Sequence, residues 1–249
     1  MGRPSSRRSH EAATFSRREL VRLAVLTTAA VVVAPGDVNT ARAQTSPPRV
    51  PVPADEALRQ LFAGNARFAR GDPASPRRRP EDYRAVAEGQ HPVAAILSCA
   101  DSRVPPELLF DMGVGDLFVI RVAGNVVSGA GAVVKGSVEY AVAELGVPLI
   151  MVLGHSGCGA VKAALKHIDD KDPLPGAIKE LVDLVKPAVA RSKGQPGDPL
   201  DAAIRANVKL GVERLRGLKP ILAPRVKQGR LKVVGGVYDL RAGTVSLLD

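Results

Sequence analysis

The stretch VAAILSCADSR, Val93 to Arg103, ends an aliphatic run in a thiol, a carboxylate and a guanidinium at alternate positions: Cys99, Asp101 and Arg103. Alternate residues of an extended chain share one side. Three reactive groups on one side are poor core filler, so the run reads as a buried strand that delivers chemistry at its carboxyl end. A second run, PLIMVLGHSGC (Pro148 to Cys158), is aliphatic up to Gly154 and then presents His155 and Cys158. Cys99 and Cys158 are the only two cysteines of the chain.

Further strand candidates lie on either side. LFVIRVAGN (117–125) is one; LKVVGGVYDL (231–240) and GTVSLLD (243–249) are the last two, joined by RAG as a hairpin turn. Helical patterns fill the gaps at 131–146, 179–194 and 201–217. Strands alternating with helices predict an α/β fold: a mainly parallel central sheet flanked by helices in αβα layers, with an antiparallel C-terminal edge strand. An N-terminal helical arm precedes it at 54–70, with Leu58, Leu61, Phe62 and Phe68 at helical spacing and Asp55 read as its cap. The arm's apolar face needs a cover, either a partner subunit or the back of its own sheet. In parallel sheets the binding crevice lies at the carboxyl ends of strands, where both cysteine segments fall.

Composition agrees. Apolar residues make up 45% and aromatic residues 3%, with no Trp, so the core is aliphatic, as buried parallel strands require. The net charge is +10 from 35 basic and 25 acidic residues. Those bases are scattered and stacking aromatics are scarce, which favours a solvated surface over a nucleic-acid partner.

Residues 1–43 read as a twin-arginine-type signal peptide: Arg17-Arg18, an apolar stretch from Leu23 to Ala34, then Ala41-Arg42-Ala43 as a small-x-small cleavage site. The twelve apolar residues rise about 18 Å as a helix, short of a bilayer core of about 30 Å. No stable membrane insertion is expected after cleavage, and the mature chain is expected in the periplasm or secreted. Residues 44–53 form a Pro-rich linker and 54–249 one catalytic domain.

Cys99, His155 and Cys158 offer zinc two thiolates and one imidazole. Asp101 either completes the tetrahedron, closing the site, or turns to Arg103 and leaves the fourth position to water. The other readings are a buried core cysteine, a capped turn histidine, or a disulfide in an oxidising compartment. Their joint placement at one sheet edge favours metal. His10, His91 and His167 lack such company and read as surface residues.

CADSR followed by HSGC resembles the β-class carbonic anhydrases, and the likeness runs from about residue 53 to the end through GDLFVIRVAGN, SVEYAVAELGV and GGVYDLRAGTVSLL. The resemblance implies Zn2+ held by Cys99, His155 and Cys158, a catalytic pair of Asp101 and Arg103, and reversible hydration of CO2 to bicarbonate and a proton. It further implies substrate contacts from Gln90 and the Gly159 amide, and an apolar pocket lined by Phe118 and Ala123. It implies a homodimer or higher homo-oligomer with sites at the subunit interface. Ala100 stands where the family more often has serine. Hydrolysis of carbonyl sulfide or carbon disulfide on the same scaffold is the alternative activity, and a non-catalytic zinc-stabilised module the alternative class.

Overall fold

The computed structural model describes residues 52–127, 131–168 and 174–248. The signal expected at 1–43 and the linker up to residue 51 lie outside the described residues. Helix α1 (Ala54–Ala69) comes first, then α2 (Pro80–Arg84), strand β1 (Ala94–Ser98), α3 (Pro106–Leu109) and β2 (Leu117–Arg121). A 3-10 turn (Ala123–Asn125) leads to α4 (Gly131–Ala143), β3 (Leu149–His155) and α5 (Gly159–Lys166). The long helices α6 (Ile178–Ser192) and α7 (Pro199–Arg216) follow, then α8 (Leu222–Lys227), β4 (Lys232–Tyr238) and β5 (Val245–Leu248).

The sheet order is β2-β1-β3-β4-β5. The first four strands are parallel and β5 pairs antiparallel with β4. From β1 the chain moves outward to β2, whereas from β3 it moves the other way to β4. The order therefore reverses between β1 and β3, and such a switch point opens a crevice at the carboxyl ends. β1 ends beside Cys99 and β3 ends at His155, so topology alone carries both runs to one crevice.

Every residue of β1 and β3 is buried, which explains why both read as unbroken apolar runs. Ala94, Ile96, Leu149, Met151 and Leu153 pack on one face with α1, α3, α5 and α6. Ala95, Leu97, Ile150 and Val152 pack on the other with α4, α7 and α8.

The apolar face of α1 is covered by its own chain. Ala57 and Leu61 are fully buried against the sheet. A Cβ on Gly64 would stand 1.8 Å from the Phe110 carbonyl oxygen, so the helix comes that close only because glycine is there. Asn65 donates to the carbonyls of Leu109 and Gly243 and accepts from the Val245 amide. Asp55 does not cap α1. Pro53 holds that position, and Asp55 lies in the first turn, paired with Lys232 at 2.6 Å. His167, expected on the surface, is 8% exposed at the end of α5, because the helix face it ends is turned inward; His91 is exposed as expected.

Candidate active site

β1 releases Cys99 into a tight turn, with its side chain buried. The sulfur accepts from the amides of Asp101 at 3.4 Å and Gly124 at 3.3 Å. β3 releases His155, and the chain then reverses within two residues. Gly157 makes that reversal at φ +65°, a left-handed conformation that side chains resist. Cys158 follows at the head of α5, fully buried. The neighbouring Cys99 and burial push the Cys158 thiol well up, and the amides of Val161 and Ala160 facing its sulfur only partly oppose that rise.

The ligand atoms of Cys99, His155 and Cys158 all lie within 4.8 Å of one another, and both cysteines are free. A tetrahedral zinc holds its sulfur ligands about 3.8 Å apart, given Zn–S near 2.3 Å, so the cluster needs only a small contraction to share one ion. The imidazole is set for that role. Nδ1–H donates to the Ser156 carbonyl at 3.0 Å, leaving Nε2 with its lone pair. Nε2 is buried without any hydrogen-bond partner, and an orphaned buried acceptor carries a real penalty unless something binds it. The thiols interact too. The Cys158 thiol, aided by His155 and the amides of Asp101 and Gly124, pulls Cys99 well below an ordinary thiol against the opposing effect of burial. A divalent cation would displace the thiol protons on binding. The donor set fits zinc on all three counts.

Asp101 stands beside the cluster and is turned toward Arg103. Arg103 Nε donates to Oδ1 at 2.9 Å, Nη2 to Oδ2 at 2.7 Å and the backbone amide to Oδ1 at 3.0 Å. The Arg103 side chain, followed by its amide, holds the Asp101 carboxyl far below the usual carboxylate range despite partial burial. Asp101 Oδ2 lies 3.9 Å from His155 Nε2, close to the ligand cluster but not part of it. Both Asp101 oxygens thus sit in the Arg103 fork.

Ala123 opens the 3-10 turn whose Gly124 amide meets the Cys99 sulfur, and Gly159 is exposed directly after Cys158. A Cβ on Gly159 would meet nothing within 4 Å, so the space beside its Cα is open. Gln90 and Phe118 lie elsewhere. Gln90 is exposed ahead of β1, separated from Cys99 by the length of the strand, about 16 Å for five residues. Phe118 sits near the start of β2, its ring 6.0 Å from that of Tyr140 on α4.

Arg121 is a site residue that the sequence motifs do not mark. It closes β2, and its Nε donates to the Cys99 carbonyl at 3.1 Å while Nη2 donates to the Asp101 carbonyl. The one signal for it in the sequence is a charged residue ending an aliphatic strand.

A Cys2His cluster with an adjacent Asp–Arg pair, at the switch point of a mainly parallel sheet, defines an α/β enzyme with a centre fit for a divalent metal. A family profile for carbonic anhydrases matches residues 94–245. Carbonic anhydrase 2 of Mycobacterium tuberculosis (strain ATCC 25618 / H37Rv) is 41% identical, over 80% of this chain and 93% of its own. The carbonic anhydrase of Pseudomonas aeruginosa is 39% identical, over 77% and 88%. Among solved structures, the β-carbonic anhydrase of Coccomyxa in complex with acetazolamide superposes with a TM-score of 0.60 at 32% identity, covering 77% of this chain and 86% of that one. The chain belongs to the β-class carbonic anhydrase family, whose reaction is the hydration of carbon dioxide.

Proposed function

We propose that this chain hydrates CO2 reversibly to bicarbonate and a proton, with zinc held by Cys99, His155 and Cys158. The observation that carries this reading is the convergence of those three ligand atoms within 4.8 Å beside the Asp101–Arg103 pair. Zinc supplies Lewis acidity there and lowers the pKa of water toward neutrality. The chain's own residues do the rest. Arg103 keeps Asp101 ionised and occupies its outer lone pairs. Oδ2, on the cluster side, is then available to accept a hydrogen bond from the attacking water and aim its lone pair at carbon. The Gly159 amide, at the positive end of α5, can donate to the carboxylate as negative charge develops. Ala123 keeps one wall small and apolar, suited to a nonpolar substrate.

Homo-oligomerisation completes this picture. Gln90 and Phe118 can act on a metal centre only across a subunit boundary, since β1 separates Gln90 from its own. The surface available for that contact is the unpaired side of β2 with α4, where Val133 and Tyr140 are 79% and 49% exposed. Two β-carbonic anhydrases of Sordaria macrospora described as tetrameric share the fold at TM-score 0.62 and 25% identity.

Export by the twin-arginine route, with cleavage after Ala43, rests on the Arg17-Arg18 pair and the Ala-Arg-Ala motif. It would deliver the chain outside the cytoplasm. Among the described residues no helix is long and apolar enough to cross a membrane.

The test is an assay of the exported protein with CO2 and carbonyl sulfide side by side, with zinc and N-terminal sequence determined on the same sample. About one zinc per chain, a start at Gln44 and dominant CO2 turnover are expected. Dominant carbonyl sulfide hydrolysis would overturn the substrate, and a start at Met1 would overturn the export reading.

A further inference from the structure

We propose that Arg121 is a positioning residue that fixes the Asp101–Arg103 pair against the Cys99–His155–Cys158 cluster. This inference rests on the CO2-hydration reading above. It begins from the turn between Cys99 and Val104. Its internal bonds are Asp101 N–H to Cys99 Sγ at 3.4 Å, Arg103 N–H to Asp101 Oδ1 at 3.0 Å and Val104 N–H to the Asp101 carbonyl at 3.2 Å. Such bonds give the turn its shape. They move with it, so they do not set its place relative to the sheet.

Two tethers from the neighbouring segment do that. Gly124 N–H holds the Cys99 sulfur at 3.3 Å. Arg121 holds the backbone of the turn at both ends, through the carbonyls of Cys99 and Asp101. Register makes the second tether reachable: Arg121 pairs with Ser98, the residue before Cys99, on a strand with a free outer edge. A guanidinium suits two carbonyls because its donors form a rigid fork, whereas lysine offers one point charge on a flexible stem.

The two ends of the turn do not depend on Arg121 equally. Without it, Cys99 keeps the Gly124 amide and its place in the ligand set. Asp101 keeps only bonds within its own turn. Loss of Arg121 should therefore leave the ligand cluster intact and loosen the carboxylate, which already stands 3.9 Å from His155 Nε2. A misplacement of about 1 Å is enough to cost about 100-fold in rate. Arg121 is exposed within the single chain and packs in neither core cluster, so the fold of the subunit does not rest on its side chain.

The experiment compares full-length wild type, Arg121→Gln and Arg121→Lys by zinc content, zinc release to a chelator, thermal midpoint, kcat and KM. For Arg121→Gln the expectation is wild-type zinc content and release, an unchanged midpoint, kcat lower by about 10- to 100-fold and KM within about threefold. Arg121→Lys should stay close to Arg121→Gln, because charge without the fork does not bridge both carbonyls. The proposal is overturned if Arg121→Gln keeps wild-type kcat, if Arg121→Lys restores it, or if the loss follows lost zinc. A wild type that holds zinc yet hydrates no CO2 would overturn the functional reading as well; an active wild type with an unaffected Arg121→Gln would overturn this inference alone.

Discussion

At the carboxyl edge of the sheet, Asp101 receives Arg103 on both carboxylate oxygens, with the aspartate side chain 18% and the arginine 56% exposed. Near the opposite edge, Asp111 receives Arg67 Nε at 2.7 Å and the amides of Ala74 and Ser75 at 2.8 Å each, with its side chain fully buried. Asp116 there takes Arg77 and the Gly113 amide. Both edges pair aspartate with arginine, yet only one stands beside the Cys99–His155–Cys158 cluster. Asp111 spends its oxygens on tying the loop 71–79 to the core. Asp101 keeps one oxygen beside an unpartnered imidazole nitrogen and two free thiols. Cleft size does not mark the difference: a cleft of about 350 Å³ lies at the second edge, lined by Arg67, Arg77, Asp111 and Asp116, and its acids are already neutralised. What distinguishes the carboxyl edge is two free thiols and an orphaned imidazole nitrogen gathered within 4.8 Å of one another.

Removing a ligand should break the contrast most strongly. Cys158→Ser is expected to lose zinc and to lower CO2 hydration by about a thousandfold or more, since the chemistry then lacks its Lewis acid. Zinc analysis and stopped-flow rates on the same preparation check it. Wild-type zinc with wild-type rates would mean the two edges differ in nothing catalytic. Asp101→Asn should come next, with zinc retained and kcat lower by about 100-fold. The neutral amide still reaches Arg103 but accepts weakly from water. A change in KM alone would assign Asp101 to binding instead of orientation.

Much of the working edge is legible in the amino-acid order. Cys99, His155 and Cys158 each follow an aliphatic run, and a parallel sheet delivers strand ends to one edge. Asp101 and Arg103, two residues apart, pair by proximity along the chain. Tertiary contacts are less legible. Arg121 reaches the turn only because its register sets it beside Ser98, and a single sequence carries no register. Helical spacing shows that α1 needs a cover but not which surface supplies it; Gly64 against Phe110 and Asn65 against Val245 set that face on its own chain, through contacts 46 and 180 residues apart. Asp55 has the right chemistry for a cap, but Pro53 begins the helix too early for it, and Lys232 claims the carboxylate.

The smallest expected effect probes the structural edge. Arg67→Ala should leave kcat of the folded protein unchanged and lower stability by about 2 kcal/mol, because it strips a buried carboxylate of its closest cation. The loss stays below that of a fully buried pair, since Arg67 is a third exposed and Arg78 remains 3.6 Å from Asp111. Its pH dependence has a definite sign. Burial pushes the Asp111 carboxyl up, but Arg67 and the amides of Ala74 and Ser75 outweigh it, so the folded value lies below the ordinary one. A depressed carboxyl contributes stability above its unfolded pKa and loses it as pH falls through the folded value. The gap between wild type and Arg67→Ala should therefore be full near neutral pH and narrow below about pH 4, the ordinary aspartate range. Urea unfolding at a series of pH values measures it. A gap that widened on acidification, or a fall in kcat at neutral pH, would show that this edge is coupled to the chemistry after all.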